Sequence, residues 1–156
     1  MISPNAQALS KTLTKLTGLP VSCVRKPRFL PSKSSRVYGI YNQLPAHDTI
    51  LLRADLSLLA SLGGCVTGLP DSLAADRAKT SPLDETLRSG IHEVLNVLST
   101  LLSGPERVVF RSMCTDVAYL TGPARSILNS HAPAQTFEVT VAGYTGGELT
   151  IFSEDQ

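Results

Sequence analysis

The sequence predicts an α+β domain: a mostly antiparallel sheet with long helices packed on one face. Two observations carry that reading. The elements run in the order helix, strands, helix, long helix, strand, hairpin. The length of 156 residues, with 42% hydrophobic and 17% charged, suits one core, so residues 1–156 are expected to form a single domain.

The elements follow in order. Ser3-Pro4 reads as an N-cap with proline in the first helical position. Ala6, Leu9, Leu13 and Leu16 then recur at helical spacing, and Gly18-Leu19-Pro20 stops the helix. Residues 20–30 read as a short strand broken by Pro27, and 31–35 as a turn. Val37–Asn42 and Thr49–Ala54 form a strand pair joined around Leu44-Pro45-Ala46. Asp55 caps a second helix bearing Leu56, Leu58, Leu59 and Leu62, which ends at Gly63-Gly64 or a turn later at Gly68. Residues 69–80 are polar and small and read as a mobile linker inside the domain. Ser81-Pro82-Leu83-Asp84 opens the long third helix, which Gly104-Pro105 ends. Arg107–Thr115 is a strand and Pro123–Asn129 a short helix. Thr136–Ala142 and Glu148–Phe152 make a hairpin, whose glycines supply backbone freedom.

Composition narrows the function classes. No apolar run reaches the length of a membrane span, and Met1-Ile2-Ser3-Pro4-Asn5 lacks the build of a signal peptide. Cys23, Cys65 and Cys114 are odd in number and unclustered, which suits a reducing compartment, and Cys65 and Cys114 read as core fillers. A cytoplasmic location is therefore expected. His47, His92 and His131 share no metal spacing, so neither a metal nor a cofactor site is expected in this chain.

Before Asp48 stand seven basic residues and no acidic one; beyond it, seven basic and thirteen acidic. The basic third reads best as a solvated edge strand and turn. Aromatic residues are too sparse for a single-strand binder, so no nucleic-acid partner is expected.

The long helix is the informative part. At 100° per residue, Leu83, Leu87, Ile91, Val94, Leu98, Leu101 and Leu102 share one apolar arc. Ser89, Glu93, Asn96 and Thr100 form a stripe opposite it, spaced four, three and four, and are expected to be exposed. Glu93 and Asn96 thus present a carboxylate and a carboxamide side by side. His92 lies about 100° from Glu93 around the helix and is not assigned as a base. Glu106 and Asp116 flank a strand and share no helix face, so a paired-carboxylate site has little support.

The run Ser89-Gly-Ile-His-Glu93-Val-Leu-Asn96 has the form Ser/Asp, three residues, Glu, two residues, Asn. It resembles the signature helix of the CheC/CheX/FliY family of chemotaxis phosphatases, and the element order along nearly the whole chain resembles the CheX branch. A single Glu-x-x-Asn motif looks like CheX and unlike two-site relatives. Val108–Thr115 carries no proline, where family members often have one. The resemblance implies a partner that is also the substrate: the phosphorylated CheY-like receiver domain, carrying a phospho-aspartate and its own Mg²⁺. It implies Asn96 as the residue orienting the attacking water and Glu93 as the partner of the receiver's active-site lysine. Ser89 and Thr100 then flank the interface. The alternative on the same fold is a non-catalytic docking module for a receiver or flagellar switch protein. The cognate receiver is left open, as is the choice between monomer and homodimer.

Overall fold

A computed structural model of the chain describes residues 5–26, 35–80, 83–120, 122–130 and 134–153. In chain order these form α1 (Ala6–Thr17), β1 (Val21–Lys26), β2 (Arg36–Gln43), β3 (Asp48–Asp55), α2 (Leu56–Thr67), α3 (Asp71–Ala78), α4 (Glu85–Leu102), β4 (Val108–Cys114), a 3-10 turn (Val117–Tyr119), α5 (Gly122–Asn129), β5 (Ala134–Val141) and β6 (Gly147–Ser153).

The strands make one six-stranded sheet in the order β1-β5-β6-β3-β2-β4, antiparallel throughout. The α+β class and the antiparallel sheet are as expected. The long helices α1, α2 and α4 pack on one face through Leu9, Leu13, Leu58, Leu62, Ile91 and Leu98, against Tyr41, Ile50, Leu52, Phe137 and Leu149. One departure concerns the layers. The short α5 lies on the opposite face, where Ala124 and Ile127 cover Tyr38 and Leu51. Residues of β2 and β3 alternate between the two cores, so both faces of the central strands are largely covered.

Three local readings are corrected. Asn5 caps α1, its Oδ1 accepting from the Ala8 N–H at 2.7 Å; the expected cap Ser3-Pro4 lies outside the described residues, as does the turn at 31–34. Asp84, not Ser81, caps α4, accepting from the Leu87 N–H at 3.0 Å; Ser81 and Pro82 also lie outside the described residues. The stretch expected as a mobile linker contains α3. It lacks apolar periodicity, but Ala74, Ala75 and Ala78 favour the helix and Ala74 is buried. Tyr144 Oη donates to the Leu69 carbonyl at 2.7 Å, and the Thr145 N–H donates to Asp71 Oδ1 at 3.0 Å, tying α3 to the β5–β6 hairpin.

The second helix does begin at Asp55, but its carboxylate makes no capping bond. Oδ1 pairs with Arg36 Nε at 3.1 Å, and Oδ2 accepts from the Glu148 N–H at 2.9 Å, joining β2, β3 and β6. The helix ends at Gly68, the later of the two expected stops, at φ 80°. Cys23 is the buried cysteine, while Cys65 and Cys114 are half-buried at the margins of the cores. Among the described residues no helix is long and apolar enough to cross a membrane.

Candidate functional site

The site is built on α4. Asp84 and Glu85 place negative charge at its N-terminus. At the other end the Ser103 N–H donates to the Ser99 carbonyl at 3.0 Å, and Ser103 Oγ accepts from the Val108 N–H at 2.8 Å, turning the chain into β4. Leu87, Ile91, Val94 and Leu98 are buried as the arc predicts. Leu95 is buried as well, which widens the arc, whereas Leu101 is only partly covered and Leu83 precedes the helix.

Gly90 sets how close α4 comes to α2. A methyl group there would stand 2.5 Å from the Gly63 carbonyl oxygen, and one on Gly63 would stand 3.0 Å from the Ile91 nitrogen. The two backbones touch, so any side chain at either position would push the helices apart. The glycine inside the Ser89–Asn96 run is therefore a packing residue. Its signal in the sequence was the cost of a glycine in a helix interior, which needs a compensating reason.

On the far side Ser89, Glu93, Asn96 and Thr100 are all exposed, as expected. They span about 16 Å of helix, and Glu93 and Asn96 differ by about 4.5 Å in height. Among the described residues neither the Glu93 carboxylate nor the Asn96 carboxamide is engaged by another side chain or by backbone. The main chain of Asn96 is held, because Ser99 Oγ donates to its carbonyl at 2.5 Å. The site thus offers one anionic acceptor and one group that both donates and accepts, on a rigid support.

Two shallow grooves flank the stripe. Toward β4, Asn96, Ser99, Arg107 and Phe110 line one groove. Toward α1, Thr12, Lys15, Val97 and Thr100 line the other. His92 is exposed yet not idle: its ring meets Phe110 edge-on, with centroids 5.6 Å apart. Phe110 in turn packs on Tyr41, whose hydroxyl donates to the Leu95 carbonyl at 2.7 Å. Burial pushes the Tyr41 phenol well above its ordinary pKa, so it remains a neutral donor.

The other residues weighed from sequence serve local structure. Asp116 Oδ1 caps the 3-10 turn by accepting from the Ala118 N–H at 2.9 Å. Glu106 accepts from Gln43 Nε2 at 2.5 Å. Among the described residues no three of His, Cys, Asp and Glu come together to hold a metal ion.

No family model and no curated protein matches the sequence. Solved structures do match the backbone. FliM in the FliG–FliM complex from H. pylori aligns at a TM-score of 0.61 and 11% identity, over 95% of this chain and 86% of that one. CheX in the CheX–CheY–BeF3–Mg²⁺ complex from Borrelia burgdorferi aligns at 0.57 and 14%, over 94% and 92%. The fold is that of the CheC/CheX/FliY proteins. Thermotoga maritima FliY shares it too, at 0.52 and 17% over 94% and 82%. In this chain that fold sets the close pair α2–α4 against one antiparallel sheet and leaves the outer face of α4 exposed.

Proposed function

We propose that the chain is a phosphatase that hydrolyses the aspartyl phosphate of a CheY-like receiver in chemotaxis or two-component signalling. One observation carries the reading. Glu93 and Asn96 stand side by side, exposed and unengaged, on a helix whose opposite face is locked into the core. The fold likeness to a CheX solved in complex with CheY supports it.

An acyl phosphate is already labile, so positioning matters more than a strong nucleophile. The Asn96 carboxamide holds a water in line with the scissile bond. The water oxygen attacks phosphorus, the bond to the aspartate oxygen breaks, and the carboxylate leaves as phosphate forms; the water proton passes to the phosphate or to solvent. Mg²⁺, held by the receiver, would supply neutralising charge at the phosphoryl oxygens. Glu93 pairs with the receiver's active-site lysine and fixes the height of α4 over the phosphate, with Ser89 and Thr100 in the flanking contact. A cytoplasmic location follows from this partner.

The test is to incubate the chain with a phosphorylated CheY-like receiver and Mg²⁺ and follow phosphate release. Accelerated release that is lost in Asn96→Ala supports the reading. Binding without release makes the chain a non-catalytic docking module for a receiver or flagellar switch protein.

A further inference from the structure

We infer that the docking surface extends beyond the Glu93–Asn96 stripe to a rim of three cations from separate elements: Lys15 of α1, Arg88 of α4 and Arg107 just before β4. This rim takes the acidic face of the receiver, and the inference rests on the function proposed above. Lys15 shares a groove with Thr100 on one flank, and Arg107 shares a groove with Asn96 on the other. Arg88 lies beside Ser89 and one turn before His92, on the flank that faces Phe110.

The charges of this rim are not used internally. Lys26, Arg36 and Arg77 are ion-paired elsewhere in the fold. Lys15, Arg88 and Arg107 are exposed, and among the described residues their side chains have no ion-pair or hydrogen-bond partner. From Thr86 to Pro105 the chain carries one acidic residue, Glu93. Glu85 stands a turn before Ser89, and Glu106 beside Arg107 accepts from Gln43 Nε2, so along the middle of α4 Glu93 is the one carboxylate between the cations, the complement of a lysine set among anions.

A phospho-aspartate site has that character. Its phosphoryl group is anionic, and its Mg²⁺ takes oxygen ligands, so carboxylates surround the phosphate. Glu93 alone would be repelled by them. Cations on both flanks reverse the local potential, steer encounter and fix the register in which Glu93 reaches the lysine. The edge-on His92–Phe110 pair adds a half-apolar contact beside Arg88.

The test titrates a beryllofluoride-activated receiver into wild type, Arg88→Glu/Arg107→Glu, Lys15→Glu, and Arg125→Glu as a control on α5 behind the sheet. At about 0.05 M salt the double reversal should raise Kd at least about tenfold and Lys15→Glu less, with the differences shrinking toward about 0.5 M. Arg125→Glu should match wild type in both Kd and kcat. The Arg88→Gln/Arg107→Gln pair, expected midway, guards against misfolding of the reversal. A double-variant Kd within about twofold of a receiver-binding wild type overturns the rim. Duplex DNA binding lost in the double variant, with receiver affinity unchanged, hands the rim to a polyanion instead. A wild type that neither binds nor dephosphorylates a receiver removes the proposed function itself, which is a different result.

Discussion

At the scale of single residues, Glu93 and Asn96 should fail differently. If the proposed function holds, Asn96→Ala removes the group that would align water, so receiver binding should persist while kcat falls roughly a hundredfold or more. Its melting temperature should barely move, since an exposed side chain with no partner contributes within about 0.5 kcal/mol. Glu93→Ala should also weaken binding, by about 1.5–3 kcal/mol for a charge-assisted contact, with Glu93→Gln between. Separate measurements of kcat and KM decide this, and equal small losses from both would move the active surface off α4. The exposure of these residues was legible because they oppose the apolar arc by simple helix geometry. The contact of His92 with Phe110 was not, because the two lie on different elements and only the fold brings them together.

At the scale of elements, two glycines and one carboxylate decide how the site is held. Gly90→Ala places a methyl group against the backbone of α2, where nothing flexible can yield. Overpacking of that kind costs about 1–3 kcal/mol, in a helix where the same change would otherwise stabilise. Chemical denaturation should show the loss, and an unchanged or raised midpoint would mean that the helices separate freely. Asp55 gives a second test. As a helix cap alone its loss would cost about 1 kcal/mol. As half of a largely buried pair with Arg36 that also holds the Glu148 N–H, Asp55→Ala should cost about 3–5 kcal/mol. The helix boundary was legible at Asp55, but the reach of its side chain depended on strands β2 and β6 that sequence spacing cannot place. The same limit explains α3. With one buried alanine it has no stripe to read, and its order comes from Tyr144 and Thr145, more than seventy residues away.

At the scale of the whole molecule, the pairings between sequence neighbours, β2–β3 and β5–β6, were legible, while β1–β5, β3–β6 and β2–β4 depend on the closed core. That core makes the fold sensitive to alkali. Tyr41 is fully buried, and its hydroxyl donates to the Leu95 carbonyl, joining the sheet to the helix that carries the site. A phenolate there would lose both its proton and its partner, and burial accordingly pushes the pKa up. Burial raises the thiols of Cys23, Cys65 and Cys114 in the same sense. Each group binds its proton more tightly folded than unfolded, so its contribution is fully present below the unfolded pKa and lost as pH rises above it. The decline should begin near the ordinary thiol value of 9.0 and steepen above the tyrosine value of 10.0. Well above that value, Tyr41 alone should remove about 1.4 kcal/mol per pH unit. Urea midpoints from about pH 8 to pH 11 measure it. Tyr41→Phe should be less stable than wild type at neutral pH, by about 0.5–1.5 kcal/mol for the lost hydrogen bond, and should close that gap as pH climbs past 10.0. Parallel curves for the two proteins across that range would mean that the hydroxyl reaches solvent and does not join α4 to the sheet.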